Sequence, residues 1–249
     1  MRVSVLMMKE FIVDTEFWNV FPEAQINMLI VRNINNQYVE QDDNYFTGLL
    51  NTASIEAAKF LTEDTFSQNR VIEEWRKAFS KFKTKKGTRS SIEALLKRVN
   101  QKKEFAPINP LVDLYNSVSL KYAVPCGGED IHSIKGDLHL GKAKGGEYFL
   151  PLGAEDDSPA LKEEIIYYDQ GGAVCRCLNW REAQRTMLTA DTTDAVLFIE
   201  SINKEQAQRA NLAMHELKQL IDSYFHTEST SVILTAKASS FSFDSSLLV

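Results

Sequence analysis

Two groups of polar residues in this 249-residue chain have the types and spacing to do chemistry. The first is Arg181, Glu182, Arg185 and Thr186, which follow Cys175-Arg176-Cys177-Leu178-Asn179-Trp180. Their hydrogen-bonding capacity is concentrated where an apolar run stops, so they read either as the polar end of a strand facing a cleft or as a surface ion-pair cluster. The second group is Asn109, Asp113 and Asn116, spaced four and three apart on one side of a helix expected over 108–120. Leu111, Val112, Tyr115 and Val118 cover most of the rest of that helix, which predicts burial. Buried amides and carboxylates need partners. The polar line therefore either braces the loops around it or floors a pocket for a small polar ligand.

Other candidates are more scattered. Glu147 follows Gly145-Gly146 at a strand start, and Glu200 ends an apolar run. His132 stands beside Glu129 and Asp130. In a strand, Cys175 and Cys177 would face the same way with Arg176 opposite. Such a pair holds zinc when two further ligands join it, and Cys126 and His132 are the obvious ones. The other reading is that the cysteines are small buried hydrophobes. No phosphate-cradling glycine loop, Gly-x-Ser-x-Gly or His-Glu-x-x-His occurs, so a covalent nucleophile has no signature here.

The elements that must position these residues follow from periodicity. Strands are expected over 1–13, 27–34, 138–140, 147–150, 164–168, 173–178 and 195–200, many of them bounded by glycine turns. Trp18, Val20 and Phe21 before Pro22 suggest a packed turn. Helices are expected over 54–61, 66–82, from Ser90 or Ser91 as cap, over 108–120 and over 203–224. Val71, Ile72, Trp75, Ala78 and Phe79 give the second of these its apolar face. The fold class is α+β: helices, a mixed or antiparallel sheet, then a packing helix.

With 44% apolar residues the chain suffices for one large domain or two closely packed lobes. Abundant aromatics argue against disorder. No run of 18 apolar residues exists, so no membrane span is expected. Three cysteines, an odd number, do not suggest a disulfide framework. A cytoplasmic protein is the expectation, with no cofactor and no obligate protein partner.

The net charge of −6 hides an asymmetry. Between Arg76 and Lys103 lie eleven basic residues and one acidic residue, Glu93. Arg76, Lys81, Lys83, Lys85, Lys86, Arg89, Lys97, Arg98, Lys102 and Lys103 are the candidates for holding an RNA backbone, since a local positive field on an acidic body steers polyanions. The alternative is a solvated helix pair with a lysine-rich loop.

Several segments resemble the stand-alone B3/B4 domain proteins, relatives of the editing domain of the bacterial phenylalanyl-tRNA synthetase beta subunit. The matching pieces are Trp75-Arg76-Lys77-Ala78-Phe79, the run Arg89 to Val99, and Ile108 to Leu120. Gly145-Gly146-Glu147, Cys175 to Arg181, Thr186-Met187-Leu188-Thr189 and the strand ending at Glu200 continue the pattern. The resemblance covers about residues 15–225 of a single 1–249 domain. The serine-rich tail, 226–249, lies beyond it. One segment departs from the family: the synthetase's glycine-rich run is here Cys-x-Cys-x-Asn-Trp-Arg.

What the resemblance implies is an aminoacyl-tRNA deacylase acting in trans on the aminoacylated 3′ end of a tRNA. The synthetase domain hydrolyses tyrosine wrongly esterified to the phenylalanine tRNA. His132 falls near that domain's pocket histidine and Glu182 near its pocket glutamate. An aminoacyl ester is labile, so a water held in line and donors for the oxyanion would suffice without metal. Glu182 or His132 would orient or deprotonate that water. Asn109, Asp113, Asn116, Glu147, Arg181, Thr186 and Glu200 would complete the pocket. The alternatives are a non-catalytic tRNA- or RNA-binding module and a protein that binds an amino-acid-like small molecule.

Overall fold

The computed structural model describes residues 9–39 and 42–243. The expected N-terminal strand is present as β1 (Glu10–Val13); residues 1–8 of that expectation lie outside the described residues. Next come α1 (Thr15–Val20), β2 (Gln25–Val31), α2 (Asp43–Ala57), α3 (Arg70–Phe79), α4 (Ser91–Asn100) and α5 (Pro110–Tyr122). The chain then runs through β3 (Cys126–Asp130), β4 (Leu138–Lys142), β5 (Ile165–Asp169), β6 (Gly172–Arg176), β7 (Arg181–Glu182) and β8 (Ala195–Ser201). It closes with α6 (Lys204–Phe225), β9 (Thr230–Leu234) and β10 (Ser240–Ser242).

The strands form two sheets. One has six strands in the order β10-β1-β4-β5-β6-β7, with β1 and β4 parallel and the other pairs antiparallel. The other has four antiparallel strands in the order β3-β8-β2-β9. The two face each other across a core that draws on both. Phe11 of β1 and Tyr167 of β5 meet Phe198 of β8, with ring centroids 4.7 and 5.2 Å away. The opposite face of the four-stranded sheet, with Leu29, Leu197 and Ile199, packs on Leu111, Leu114 and Val118 of α5 and on Ala213, Met214 and Leu217 of α6. Strand β8 is buried on both faces, which explains its unbroken apolar run Ala195–Ile199. Ile72, Trp75, Ile92 and Leu96 bring α3 and α4 against the inter-sheet core.

Helix ends follow their sequences. Asn109 caps α5 by accepting from the Val112 N–H at 3.1 Å, and Pro110 occupies the first turn. Ala123 ends it in the left-handed region. Asn203 caps α6 by accepting from the Gln206 N–H at 2.9 Å.

Five expectations are corrected. Segment 147–150 is not a strand: the Glu147 carboxylate accepts from Lys144 and Gly145 N–H, closing a turn, and only Pro151 bridges to Ala183. The helix expected from residue 54 begins at Asp43; Phe46, Leu50, Ala53 and Ala57 form its buried stripe. The helix expected over 66–82 is shorter, with a 3-10 turn at Phe66–Gln68 and α3 only from Arg70. Ser90 occupies the N-cap of α4, but its hydroxyl accepts no cap bond; the Glu93 N–H goes to the Ser90 carbonyl at 3.1 Å instead. The segment Trp18 to Phe21 belongs to the short helix α1 and its C-cap, and the Trp18 indole N–H donates to the Val13 carbonyl.

Candidate functional site

The two sheets converge at their edges β3 and β7. The chain leaving β7 makes an isolated antiparallel bridge, Glu129 with Met187, and the Asp130 N–H donates to the Thr186 carbonyl. Strand register then decides what faces the gap. On the six-stranded sheet, Tyr167, Cys175 and Glu182 lie directly opposite one another on successive strands, so all three side chains share one face. On the four-stranded sheet, Glu129 pairs with Val196 and Gly127 with Phe198, which puts Glu129 on the same face as Phe198 and Glu200. These two rows enclose a cavity of about 310 Å³. Ser91, Cys126, Leu152, Asn179, Trp180 and Arg181 complete its wall and mouth.

Gly127 is what lets the rows approach. A Cβ there would lie 3.2 Å from Glu182 Oε1. Gly128, next to it, turns toward the other face, where a Cβ would come within 2.2 Å of Leu197. The pair Gly127-Gly128 thus allows close packing on both faces of one strand.

Three carboxylates converge in this space, and burial makes each one a weaker acid. Desolvation holds Glu182 up at about 7, countered by the Gly128 N–H. It holds Glu200 up at about 7 too, although the Tyr167 hydroxyl donates to its Oε1 at 2.8 Å and the Asn179 amide to its Oε2 at 3.2 Å. Glu129 is pushed well above the carboxylate range by desolvation and by the neighbouring Glu182 charge. Arg181 is the one cation of the wall; it is exposed and stacks on Trp180 with its guanidinium 5.3 Å from the ring centre. Both acceptors and hydroxyls are left over, the Thr186 hydroxyl behind Glu129 among them. Glu129 Oε2 and Asn179 Oδ1 are buried acceptors without a partner, and the Ser91 hydroxyl is also unpaired.

The site residues expected from sequence divide into three sets. Arg181, Glu182 and Glu200 line the cavity. Thr186 is fully buried just behind it, beside Glu129. The others lie elsewhere. Asn109 accepts from the Asn36 amide as well as capping α5, and both oxygens of Asp113 accept from the Ile108 N–H at 3.0 Å. Asn116 is half-buried on the same helix. Glu147 closes its own turn. His132 is exposed on a 3-10 turn past the end of β3, with Nε2 2.6 Å from Asp194 Oδ2. None of these lines the cavity.

The cysteines do not converge as a strand pairing would require. Strand β6 stops at Arg176, and Cys177 and Leu178 adopt left-handed backbone. Cys175 lines the cavity, whereas Cys177 Sγ lies 3.4 Å from Glu164, the buried partner of Arg176.

Several of the basic candidates are committed to the protein itself. Arg76 forms a bidentate pair with buried Glu93, and Arg89 approaches the same carboxylate. Lys81 lies over Phe21, Arg98 over Phe105, and Lys85 donates to Ser158. Lys83, Lys86, Lys97, Lys102 and Lys103 are exposed with no side-chain partner among the described residues. The loop of Lys83 to Arg89 leads into Ser91, which lines the cavity and donates its N–H to the Asn179 carbonyl; the Lys83 N–H reaches the Glu163 carbonyl.

Sequence reasoning passed over Glu129 except as a neighbour of His132, took Ser91 only as a possible helix cap, and passed over Tyr167. The available signal was Cys-Gly-Gly-Glu, an acidic residue two positions beyond a glycine in a short strand. Among the described residues, no helix is long and apolar enough to cross a membrane.

No curated protein sequence matches the chain. Among solved structures it is similar to an N-terminal fragment of the phenylalanyl-tRNA synthetase beta subunit from Pyrococcus horikoshii, at 11% identity and a TM-score of 0.47. That similarity covers 90% of this chain but 53% of the fragment, so the chain spans about half the fragment's length. A family model, the B3/4 domain, matches residues 74–226, which include every residue lining the cavity. More than half of the sequence lies within that match, and the chain belongs to the B3/4 domain family.

Proposed function

We propose that the protein hydrolyses the ester of a mischarged aminoacyl-tRNA in trans, in the cytoplasm, with the aminoacyl group held in the inter-sheet cavity. The observation that carries this reading is the convergence of Glu129, Glu182 and Glu200 on a space with no cation in its interior. An ammonium group is the natural occupant of such a site. The choice of an aminoacyl ester rests on the B3/B4 resemblance, and the lysine-rich loop before α4 suits a phosphate backbone.

The chemistry needs no metal or nucleophile. A carboxyl poised at about 7 is matched to proton transfer near neutral pH. Ionised Glu182 takes a proton from a water as its oxygen adds to the ester carbonyl. The tetrahedral intermediate then expels the ribose oxygen, which receives a proton from Glu200 in its acid form. The products are a free amino acid and an uncharged tRNA. The test is a panel of mischarged tRNAs incubated with the purified protein. Release above the buffer rate, abolished by Glu182→Gln, is expected; no release from any member of the panel overturns the reading.

The same unpaired acceptors favour a second reading, a protein that retains a free amino acid without hydrolysing anything. Amino acid copurifying with the protein, together with inertness toward the whole tRNA panel, would select it.

A further inference from the structure

Resting on the aminoacyl-tRNA reading above, we infer that a second cavity, the cleft between α3 and α4, binds a phosphate of the RNA strand whose 3′ end enters the inter-sheet cavity. The cleft holds a space of about 250 Å³. Its rim carries two partly exposed guanidiniums, Arg76 of α3 and Arg89 of the loop before α4. Its floor is Trp75 and Ser90, each 1% exposed. One carboxylate lines the same space, Glu93.

Donors are left over here. Arg76 holds both oxygens of Glu93, at 2.7–3.2 Å. Arg89 comes no nearer that carboxylate than 3.7 Å, too far for a hydrogen bond, and its guanidinium has no other side-chain partner among the described residues. The Trp75 indole N–H and the Ser90 hydroxyl are buried without a partner. An indole nitrogen only donates and so requires an acceptor, whereas the Ser90 and Thr84 hydroxyls take either role. The hydroxyls of Ser80 and Thr88 donate to the Lys77 and Lys85 carbonyls of their own turns. Two guanidiniums against one carboxylate leave a unit of positive charge, and exposed Lys83 and Lys86 extend the field. A phosphate brings what the cleft lacks: negative charge and oxygens that accept. The guanidinium fork suits it in shape as well.

Position assigns that phosphate to the RNA. Ser90 lines the cleft and Ser91 lines the inter-sheet cavity, so the two spaces share a wall one residue thick, with about 3.8 Å between the two Cα atoms. The Ser91 N–H, bonded to the Asn179 carbonyl, pins that wall to the cavity. A strand that places its terminal ester in the cavity carries its nearest phosphate one ribose away, on the scale of this spacing.

The test compares two small esters bearing the same amino acid, one on adenosine and one on adenosine 5′-monophosphate. The phosphorylated ester is expected to be cleaved with a kcat/KM about tenfold higher or more, the usual worth of charge-assisted hydrogen bonds to one group. Arg89→Gln should bring the ratio close to one. Equal cleavage of the two esters by the parent protein overturns the phosphate site and leaves the hydrolase standing. A readout independent of catalysis is the indole N–H signal of Trp75 in an NMR titration of the full chain. The chain has three tryptophans, and Trp18→Phe and Trp180→Phe identify the Trp75 signal by elimination. It is expected to move with adenosine 5′-monophosphate and to stay in place with adenosine. That response without cleavage of either ester would keep the phosphate site and remove the hydrolase. An indole indifferent to the monophosphate overturns the inference. A shift as large with inorganic phosphate at the same concentration overturns the assignment to RNA.

Discussion

The N-terminus of α5 and the inter-sheet cavity contain the same kind of chemistry and use it in opposite ways. Both hold buried carboxyls whose acidity is weakened by desolvation, Asp113 to about 6 and Glu200 to about 7. Around α5 the bonds close on the protein. Asn36 donates to Asn109 and to the Thr189 carbonyl and accepts from the Leu111 N–H, while Asp113 holds Ile108. Around the cavity they do not close, and Glu129 and Asn179 keep idle acceptors beside open volume. A shifted acidity therefore does not by itself mark a site. What distinguishes the two regions is whether polar capacity remains after the protein has satisfied itself.

The largest expected contrast is in catalysis. Glu182→Gln should lower the deacylation rate by about 10²–10⁴-fold, the usual contribution of a positioned base. Asp113→Asn, equally conservative, should leave the rate constant within about threefold, since Asp113 contributes to the fold and not to the cavity. Equal losses from both changes, measured as single-turnover rates, would break the comparison.

Stability should show the converse. Asn36→Ala removes three hydrogen bonds at a fully buried side chain and orphans the Leu111 N–H. A loss of about 2–4 kcal/mol in denaturant unfolding is expected. Glu200→Gln should act in the other direction, with a sign that depends on pH. The folded Glu200 binds its proton up to about 7, whereas the unfolded side chain releases it at an ordinary 4.5. Its contribution is therefore most favourable below the unfolded value and is lost as pH rises through the folded one. The Gln variant should match the parent at pH 4 and exceed it by about 3 kcal/mol at pH 8. Thermal melts across that range check the crossover; a constant offset would mean that Glu200 is not held in its acid form.

The smallest effect expected is in the lysine-rich loop before α4. Neutralising Lys83 and Lys86 together should weaken tRNA binding and reduce the slope of log affinity against log salt by about 1–2, one contact per lysine. Arg76→Gln should instead destabilise the fold, because it strands buried Glu93. If the salt slope is indifferent to both lysines, the loop does not carry phosphate contacts.

Much of the scaffold was legible in the chain. The stripe Ala210, Met214, Leu217, Ile221 announces α6, and Val71, Ile72, Trp75, Ala78 announces α3, because helical period is written locally. The start of α2 was missed despite Phe46, Leu50, Ala53 and Ala57, since Leu49 and exposed Ile55 are apolar off the stripe and blur it. In the site, Arg181, Glu182 and Glu200 stood out as charges next to apolar runs. His132 stood out as the neighbour of Glu129 and Asp130 and by the family resemblance, and it lies away from the cavity. Two residues past the last ladder pair of β3, the chain leaves the sheet, so proximity in sequence to Glu129 does not carry over into space.

The sequence by itself determined the α+β composition, the buried helix α5, the apolar strands and the concentration of positive charge between Arg76 and Lys103. These depend on periodicity and composition, which are properties of neighbouring residues. Only the tertiary structure decided which carboxylates meet. Glu129, Glu182 and Glu200 come from three strands in two sheets, and their convergence depends on register across strands joined by long connections. A slip of one residue would turn each to the opposite face. Which acceptors end without a partner is decided at the same level, because it depends on every donor that the folded chain has already spent.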